Sequence, residues 1–443
     1  MTDVSDLRCK LDALHRGTYS VEEYCSNRVV PDEVSSLRAV TDFSQLGLSD
    51  NLFRAICRMG FSKPSCIQEA ALPLLLKDPP VNMMAQAQSG TGKTAAFLLA
   101  ALTRVRPQDH WPQVIVMLPT LELAEQIATE CKRMLANSPD VAIRHAVRGQ
   151  LLSRNQLIKE HIVIGTPGKM LDWTLRYRLF DMRRIRVFVL DEADVMLAES
   201  GHYSSVINIH RQLDPTHCQM LLFSATFSKQ VTDLADAIIN MPLVKLTLRP
   251  DELALSNVRH FYMETWNEAD KLEAISNLYE SLSIGQCMVF CRSRATADIV
   301  AVLMAELGQN VAQLHGDLEP SERLAMIENF RNGLQKVMVT TNVCSRGIDI
   351  IQVSLVINFD MPLLQNGVVD CETYYHRVGR SGRFGRPGTA VNFIHPKSVK
   401  DRNALDAVRN EFGIDITLVD FRDHDQIVEL IQYTEGNAND RHV

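Results

Sequence analysis

The chain has 443 residues, 46% of them hydrophobic, a length beyond what one hydrophobic core organises, so two or three globular domains are expected. Its formal net charge of −7 argues against a surface that binds polyanions wholesale, because such surfaces show an excess of Lys and Arg, and any nucleic acid must meet a local patch. The longest apolar stretches, such as 95–102, fall well short of the roughly 18 residues of a spanning helix, which argues against membrane insertion.

The first forty residues are polar and open without the basic start of a secretory signal. Within them, 4–16 carries Leu7, Leu11 and Leu14 at helical spacing and is read as a surface helix, a tail or a regulatory element. Residues 1–40 are therefore taken as an N-terminal extension. Beyond it, apolar runs of four to six residues alternate with longer amphipathic segments, the rhythm of parallel strands joined by helices. The runs 114–118, 162–164, 187–190 and 220–223 read as central strands of a first α/β unit spanning 41–246. Residues 246–256 carry no strong period and include Pro250, which places a linker at 247–256. A second series at 287–290, 336–339, 355–357 and 390–393 gives a second α/β unit of similar size, 257–443. The ten cysteines form no Cys-x-x-Cys pair, and Cys287 and Cys291 stand inside one strand-like run. Reduced, buried thiols are expected, with neither a zinc site nor a disulfide framework.

The segment Ala87-Gln88-Ser89-Gly90-Thr91-Gly92-Lys93-Thr94 fits the phosphate-loop pattern, with Ala87 where the first glycine is usually found. Small residues let backbone N–H groups curl around a triphosphate. Lys93 would reach the β- and γ-phosphates, the Thr94 hydroxyl would ligate magnesium, and the following helix offers its positive end to the anion. ATP and Mg2+ are thus the expected cofactors.

Asp191-Glu192-Ala193-Asp194 follows directly on the apolar run 187–190, so carboxylates stand at the end of a buried strand. An acidic tetrapeptide by itself is a solvated turn; beside a phosphate loop it is chemistry. Asp191 would hold magnesium through water, and Glu192 would orient or deprotonate the water that attacks the γ-phosphorus, which makes the reaction a hydrolysis. Near the C-terminal end, His376-Arg377-Val378-Gly379-Arg380-Ser381-Gly382-Arg383 spaces three arginines three residues apart, as they would be to share one helical face. A guanidinium suits the spread charge of a phosphoryl-transfer transition state, so Arg380 and Arg383 are candidate arginine fingers from the second unit.

With these motifs in order, the chain from about Phe43 to its C-terminus resembles the DEAD-box RNA helicases. The resemblance implies two tandem RecA-like lobes, each a parallel sheet flanked by helices, and an RNA-stimulated ATP hydrolase that closes on single-stranded RNA. Gly60-Phe61-Ser62-Lys63-Pro64-Ser65-Cys66-Ile67-Gln68 is similar to the adenine-reading Q motif, with Phe43 at the upstream aromatic position. Phe61 would stack on adenine and Gln68 would hydrogen-bond its edge. Ser224-Ala225-Thr226 matches the motif that links hydrolysis to lobe closure, its hydroxyls bonding the 191–194 turn. The resemblance places RNA contacts at Pro119, Thr120, Gly149, Thr166, Gly168, Lys169, Arg292, Thr341 and Arg346. Their segments are rich in hydroxyls and glycines, which suits sequence-independent contacts to phosphates and 2′-OH groups. Asp349 would touch the ATP ribose. The chain departs from the family at Leu121, where an arginine is common, at Arg148 for the first of two glycines, and at Lys169 for a usual arginine. Leu121 weakens the expected first-lobe grip on RNA.

Arg148-Gly149, Lys169-Met170-Leu171-Asp172-Trp173, Thr340-Thr341-Asn342-Val343 and the insert 363–371 are similar to the mRNA-export branch that works at the nuclear pore. That similarity implies a monomer present in cytoplasm and nucleus, placed at the cytoplasmic face of the pore. It also implies a nucleoporin contact on the first lobe, an mRNA-export activator with inositol hexakisphosphate on the second, and an N-terminal helix, 4–16 or 34–40, that restrains the ATPase. Three alternatives stand beside it. The insert disfavours a translation-initiation helicase. Glu192 and both arginines argue against an ATP-gated RNA clamp or scaffold. The Q motif disfavours a DNA-translocating helicase.

Overall fold

The computed structural model describes residues 19–25, 28–30, 40–87, 90–150, 156–197, 202–240, 242–248, 257–282, 284–341, 353–364, 366–382 and 387–429. They fall into two compact units, Met1–Arg249 and Pro250–Val443.

The strands of the first unit are β1 (Tyr19–Cys25), β2 (Arg28–Val30), β3 (Asn82–Gln86), β4 (Val114–Met117), β5 (Ile143–Ala146), β6 (Ile162–Gly165), β7 (Val187–Asp191), β8 (Gln219–Ser224) and β9 (Leu243–Leu248). They form one sheet in the order β2-β1-β9-β3-β8-β7-β4-β6-β5. From β9 to β5 every pairing is parallel. The residues of β3, β4, β6, β7 and β8 are buried without alternation, as in a parallel sheet covered on both faces. Ile115, Val163, Phe188, Leu190, Met220 and Leu222 face one such layer, each contributing about 1.5–3 kcal/mol on full burial. Helix Lys93–Thr103 is buried along nearly its whole length, as its apolar sequence demands.

Two expected boundaries are corrected. Part of the 1–40 extension belongs to the sheet: β1 pairs antiparallel with β9, from Tyr19 opposite Leu248 to Tyr24 opposite Leu243, and β2 extends the edge. The partner of this hairpin lies at the far end of the unit's sequence, so no local period announces the pairing. For the same reason Thr247 and Leu248 are strand and not linker, since they pair with Ser20 and Tyr19 of β1. Residues 249–256, the segment 4–16 and all of 34–40 but its last residue lie outside the described residues.

The second unit holds β10 (Val258–Glu264), β11 (Gln286–Phe290), β12 (Val311–Leu314), β13 (Val337–Thr340), β14 (Val353–Asn358), β15 (Gly388–Ile394) and β16 (Ile416–Leu418). Their order is β12-β13-β11-β14-β15-β10-β16, and every pairing is parallel. Neighbouring residues feed opposite layers: Val289, Val339 and Ile357 pack on one side, Met288, Met338 and Val356 on the other, as the two-residue period of a strand requires. Each unit is thus a parallel sheet flanked by helices. The insert after β14 folds back on itself, Leu363 bridging Val369, and delivers Asp370 as the cap of helix Cys371–Val378. No helix among the described residues is long and apolar enough to cross a membrane.

Candidate nucleotide site and nucleic-acid interface

The phosphate loop follows β3. Gln88 and Ser89 lie outside the described residues. Gly90 and Gly92 take φ values of +84° and +100°. A Cβ on Gly92 would also lie 2.5 Å from Gln68 Nε2 and 2.8 Å from Ser65 Oγ, so both conformation and space require glycine there. Thr91 and Thr94 are half-buried, and Thr94 sits in the first turn of helix Lys93–Thr103.

Lys93 points back under the loop. Its Nζ lies 2.8 Å from Glu192 Oε1 and 3.2 Å from Asp191 Oδ1. Asp191 and Glu192 are both buried, so two buried carboxylates share one ammonium. Burial works against the Lys93 charge, but Asp191 and Glu192 outweigh it and hold the ammonium above its usual range. The same burial pushes the Asp191 carboxyl up, against the pull of Lys93. Buried carboxylates are hard oxygen donors, which suit a divalent cation such as magnesium. Glu192 takes a φ of +53°, a region that a side chain other than glycine occupies at a cost of about 1 kcal/mol or more. The turn is held where Asp191 Oδ1 accepts the Glu192 N–H at 3.0 Å.

Ser224 closes β8 beside this turn. Its Oγ accepts the N–H groups of Asp194 and Thr226, each at 3.4 Å, while Thr226 Oγ1 donates to Asp194 Oδ2 at 3.0 Å. The Ala87 N–H donates to the Ser224 carbonyl at 2.8 Å. One short segment therefore joins the start of the phosphate loop to the acidic turn.

In the Q-motif region, Phe61 meets the buried Phe43 edge-on, with ring centroids 6.0 Å apart. Gln68 is buried; its Oε1 accepts the Ser65 N–H and its Nε2 donates to the Gly92 carbonyl, both at 3.0 Å. The amide expected on the adenine edge thus also fastens helix Cys66–Leu75 to the phosphate loop, a contact the sequence reading missed. Its signal was present in the spacing Ser65-x-x-Gln68, a capping box.

The first-unit RNA candidates follow different strands of the same edge. Pro119 and Thr120 come after β4, Gly149 after β5, and Thr166, Gly168 and Lys169 after β6. The nucleotide candidates sit at the ends of β3, β7 and β8, and β7 neighbours β4. The two sets therefore occupy adjoining halves of one carboxyl edge, where open α/β sheets bind ligands. Thr120 also caps helix Leu121–Met134, its hydroxyl accepting the Leu123 N–H at 3.4 Å. Gly149 takes φ +91° with open space at its Cβ position. The Lys169 ammonium lies 5.8 Å from the Trp173 ring centroid. Leu121 is buried, so the departure from arginine serves the core.

In the second unit Arg292 is exposed after β11 and Thr341 is half-buried after β13. Arg346, Asp349 and Arg383 lie outside the described residues. The expected shared helical face of Arg377 and Arg380 is corrected. The helix Cys371–Val378 is capped at Gly379, and Gly382 turns the chain at φ +69°, where a Cβ would lie 2.5 Å from Val258. Arg377 is buried on the helix, its Nη1 donating to Asn358 Oδ1 at 2.9 Å and to the Asp360 carbonyl at 2.8 Å. Burial pushes its guanidinium down to about 10. Arg380 lies past the helix end, its Nε donating to the His376 carbonyl at 3.0 Å.

Residues 65–234 match the DEAD/DEAH box helicase family and residues 270–385 the helicase conserved C-terminal domain. The chain is 50% identical over 360 residues to the DEAD-box helicase Dbp80 of Drosophila melanogaster, covering 81% of this chain and 78% of that protein. It is similar to the structure of S. cerevisiae Dbp5 bound to RNA and ADP BeF3, with a TM-score of 0.82 and 42% identity over 89% of this chain and 99% of that one. A Dbp5 variant bound to Nup159, Gle1, IP6 and ADP matches with a TM-score of 0.62 and 40% identity, over 88% of this chain and all (100%) of that one.

Proposed function

The chain belongs to the DEAD-box ATP-dependent RNA helicases, and from that premise we propose how its residues divide the work. The observation that carries the reading is Lys93 held between Asp191 and Glu192 at a strand edge that adjoins the RNA candidates. The arrangement is poised for exchange. Phosphates of ATP take over the Lys93 ammonium, and the backbone of Gln88, Ser89, Gly90, Thr91 and Gly92 cradles them. Thr94 and Asp191 would hold Mg2+, which neutralises phosphate charge when bound. Glu192, released from Lys93 and aimed by its left-handed turn, orients or deprotonates the attacking water. Phe61 and Gln68 serve the adenine, and Asp349 the ribose. Arg380 and Arg383 supply guanidinium charge to the phosphoryl group, and Ser224 and Thr226 keep the acidic turn in register with β8.

RNA is held through Pro119, Thr120, Gly149, Thr166, Gly168 and Lys169 on the first unit and Arg292, Thr341 and Arg346 on the second. These contacts are to backbone and 2′-OH groups and do not read sequence. The cellular role proposed is remodelling of RNA or RNA–protein complexes in mRNA export at the cytoplasmic face of the nuclear pore, by a monomer that moves between nucleus and cytoplasm. Similarity to Dbp5, solved with Nup159, Gle1 and IP6, supports a nucleoporin and an inositol hexakisphosphate-dependent activator as partners.

Steady-state ATP hydrolysis with and without single-stranded RNA tests this reading. The parental chain should be stimulated by RNA, and Glu192→Gln should keep ATP and RNA bound while losing about a hundredfold or more in kcat. Hydrolysis by Glu192→Gln at the parental rate would remove the assigned role.

A further inference from the structure

The second unit contains a buried polar chain that ends at Asp360, a residue with no part in the assignments above. It starts in β10, where His260 Nδ1 meets the Tyr374 hydroxyl at 3.0 Å. Asn392 Nδ2 donates to the Phe261 carbonyl at 2.8 Å and to the same hydroxyl at 3.3 Å. Asn358 Nδ2 donates to Asn392 Oδ1 at 2.8 Å, and Arg377 Nη1 bridges Asn358 to the Asp360 carbonyl. The Asp360 carboxylate then divides: Oδ1 accepts from Lys271 Nζ at 3.0 Å, and Oδ2 accepts the backbone N–H of Arg292 at 2.9 Å. Lys271 is itself fixed, donating to the Phe359 carbonyl at 2.7 Å with its ammonium 4.7 Å from the Phe359 ring centroid.

Asp360 is thus the point where two segments meet. One is the loop after β11 that presents Arg292; the other is the helix Cys371–Val378 that carries Arg377 and leads to Arg380. The Asp360 carboxylate holds the Arg292 loop and Lys271 by charge-assisted bonds on its two oxygens, while its backbone carbonyl and its charge hold Arg377 of the helix, so moving either segment breaks a strong bond at this one residue. The geometry points to Asp360 as a positioning residue that holds the RNA-facing Arg292 loop in one frame with the arginine-bearing segment, so that RNA on the first reports to the second. The inference rests on the reading of Arg292 as an RNA contact and of Arg380 as the arginine that serves hydrolysis.

The test compares ATP turnover of the full chain and its Asp360→Asn variant across a titration of single-stranded RNA. Asparagine keeps the shape and one acceptor but sets an NH2 group against the Lys271 or the Arg292 donor. The ratio of RNA-stimulated to unstimulated kcat should fall about tenfold, with a higher half-maximal RNA concentration and an ATP KM within about twofold of the parent. Asp360→Glu, which restores the charge, should recover part of the ratio. In an Arg292→Ala background Asp360→Asn should raise the half-maximal RNA concentration no further, since both act on one contact. Equal loss of stimulated and unstimulated rates, tracking a lower Tm, would mean Asp360 merely stabilises the fold and would overturn the inference. If Arg292→Ala leaves the half-maximal RNA concentration unchanged, the RNA reading of Arg292 fails. If Arg292→Ala raises it while Asp360→Asn leaves the ratio intact, the positioning role alone fails.

Discussion

Two buried polar clusters, one in each unit, behave as opposites. In the first unit the buried Asp191 and Glu192 carboxylates share the Lys93 ammonium, and the Glu192 backbone is held at positive φ. In the second, Asn358, Asn392, Tyr374 and His260 are neutral groups hydrogen-bonded to one another beside the Arg377 guanidinium and the Asp360 carboxylate. A buried ion pair can trade its partners for those of a ligand, whereas an amide and hydroxyl network holds a frame. Under the proposed function, one cluster exchanges partners and the other keeps them.

The largest break in that contrast should come from Lys93→Ala. It removes the ammonium proposed to hold the ATP phosphates and takes it from Asp191 and Glu192, so ATP affinity should fall by about a hundredfold or more while stability drops by about 3–5 kcal/mol. Calorimetric titration with ATP and a denaturant midpoint read the two effects separately. An unchanged ATP affinity would show that the lysine serves only the fold.

The second cluster should answer to pH. Burial holds the His260 imidazole down at about 4, against an ordinary value of 6.5. A folded-state value below the unfolded one means that the stabilisation is complete above about 6.5 and is lost as pH falls toward 4. The loss comes to about 3 kcal/mol across that window. Denaturant midpoints between pH 7 and 4 should show this, and His260→Gln should flatten the slope.

Gly92→Ala places a methyl on Gln68 and Ser65 and forces a side chain into positive φ, which should cost about 1–3 kcal/mol and weaken ATP binding together with the Gln68 link. Thr226→Val is milder. It removes the donor to Asp194 Oδ2 at about 1–3 kcal/mol, visible as a lower kcat with ATP KM nearly unchanged if the bond matters during turnover. A change in KM alone would place its effect on binding instead.

Much of the first cluster was legible beforehand. Gly90, Gly92, Lys93, Asp191 and Glu192 sit in short patterns whose spacing is local, and the loop and the strand end each announce themselves. The second cluster was not. Asn358 ends β14, Asp360 lies just past it and Asn392 sits inside β15, each a single polar residue whose neighbours do not say that they meet. Arg377 and Arg380 were read as one face because their spacing is helical, and the helix end at Gly379 decided otherwise.

The sequence by itself determined the alternation of strands and helices, two sheets of parallel type, the phosphate loop and the acidic turn, because each depends on residues within about one helical turn or strand of each other. Only the tertiary structure decided that β1 and β2 join the first sheet, that Gln68 braces the phosphate loop, that Leu121 is core, and that Asp360 joins two segments. Those outcomes depend on pairings between residues far apart along the chain, which the order of strands selects and no local pattern encodes.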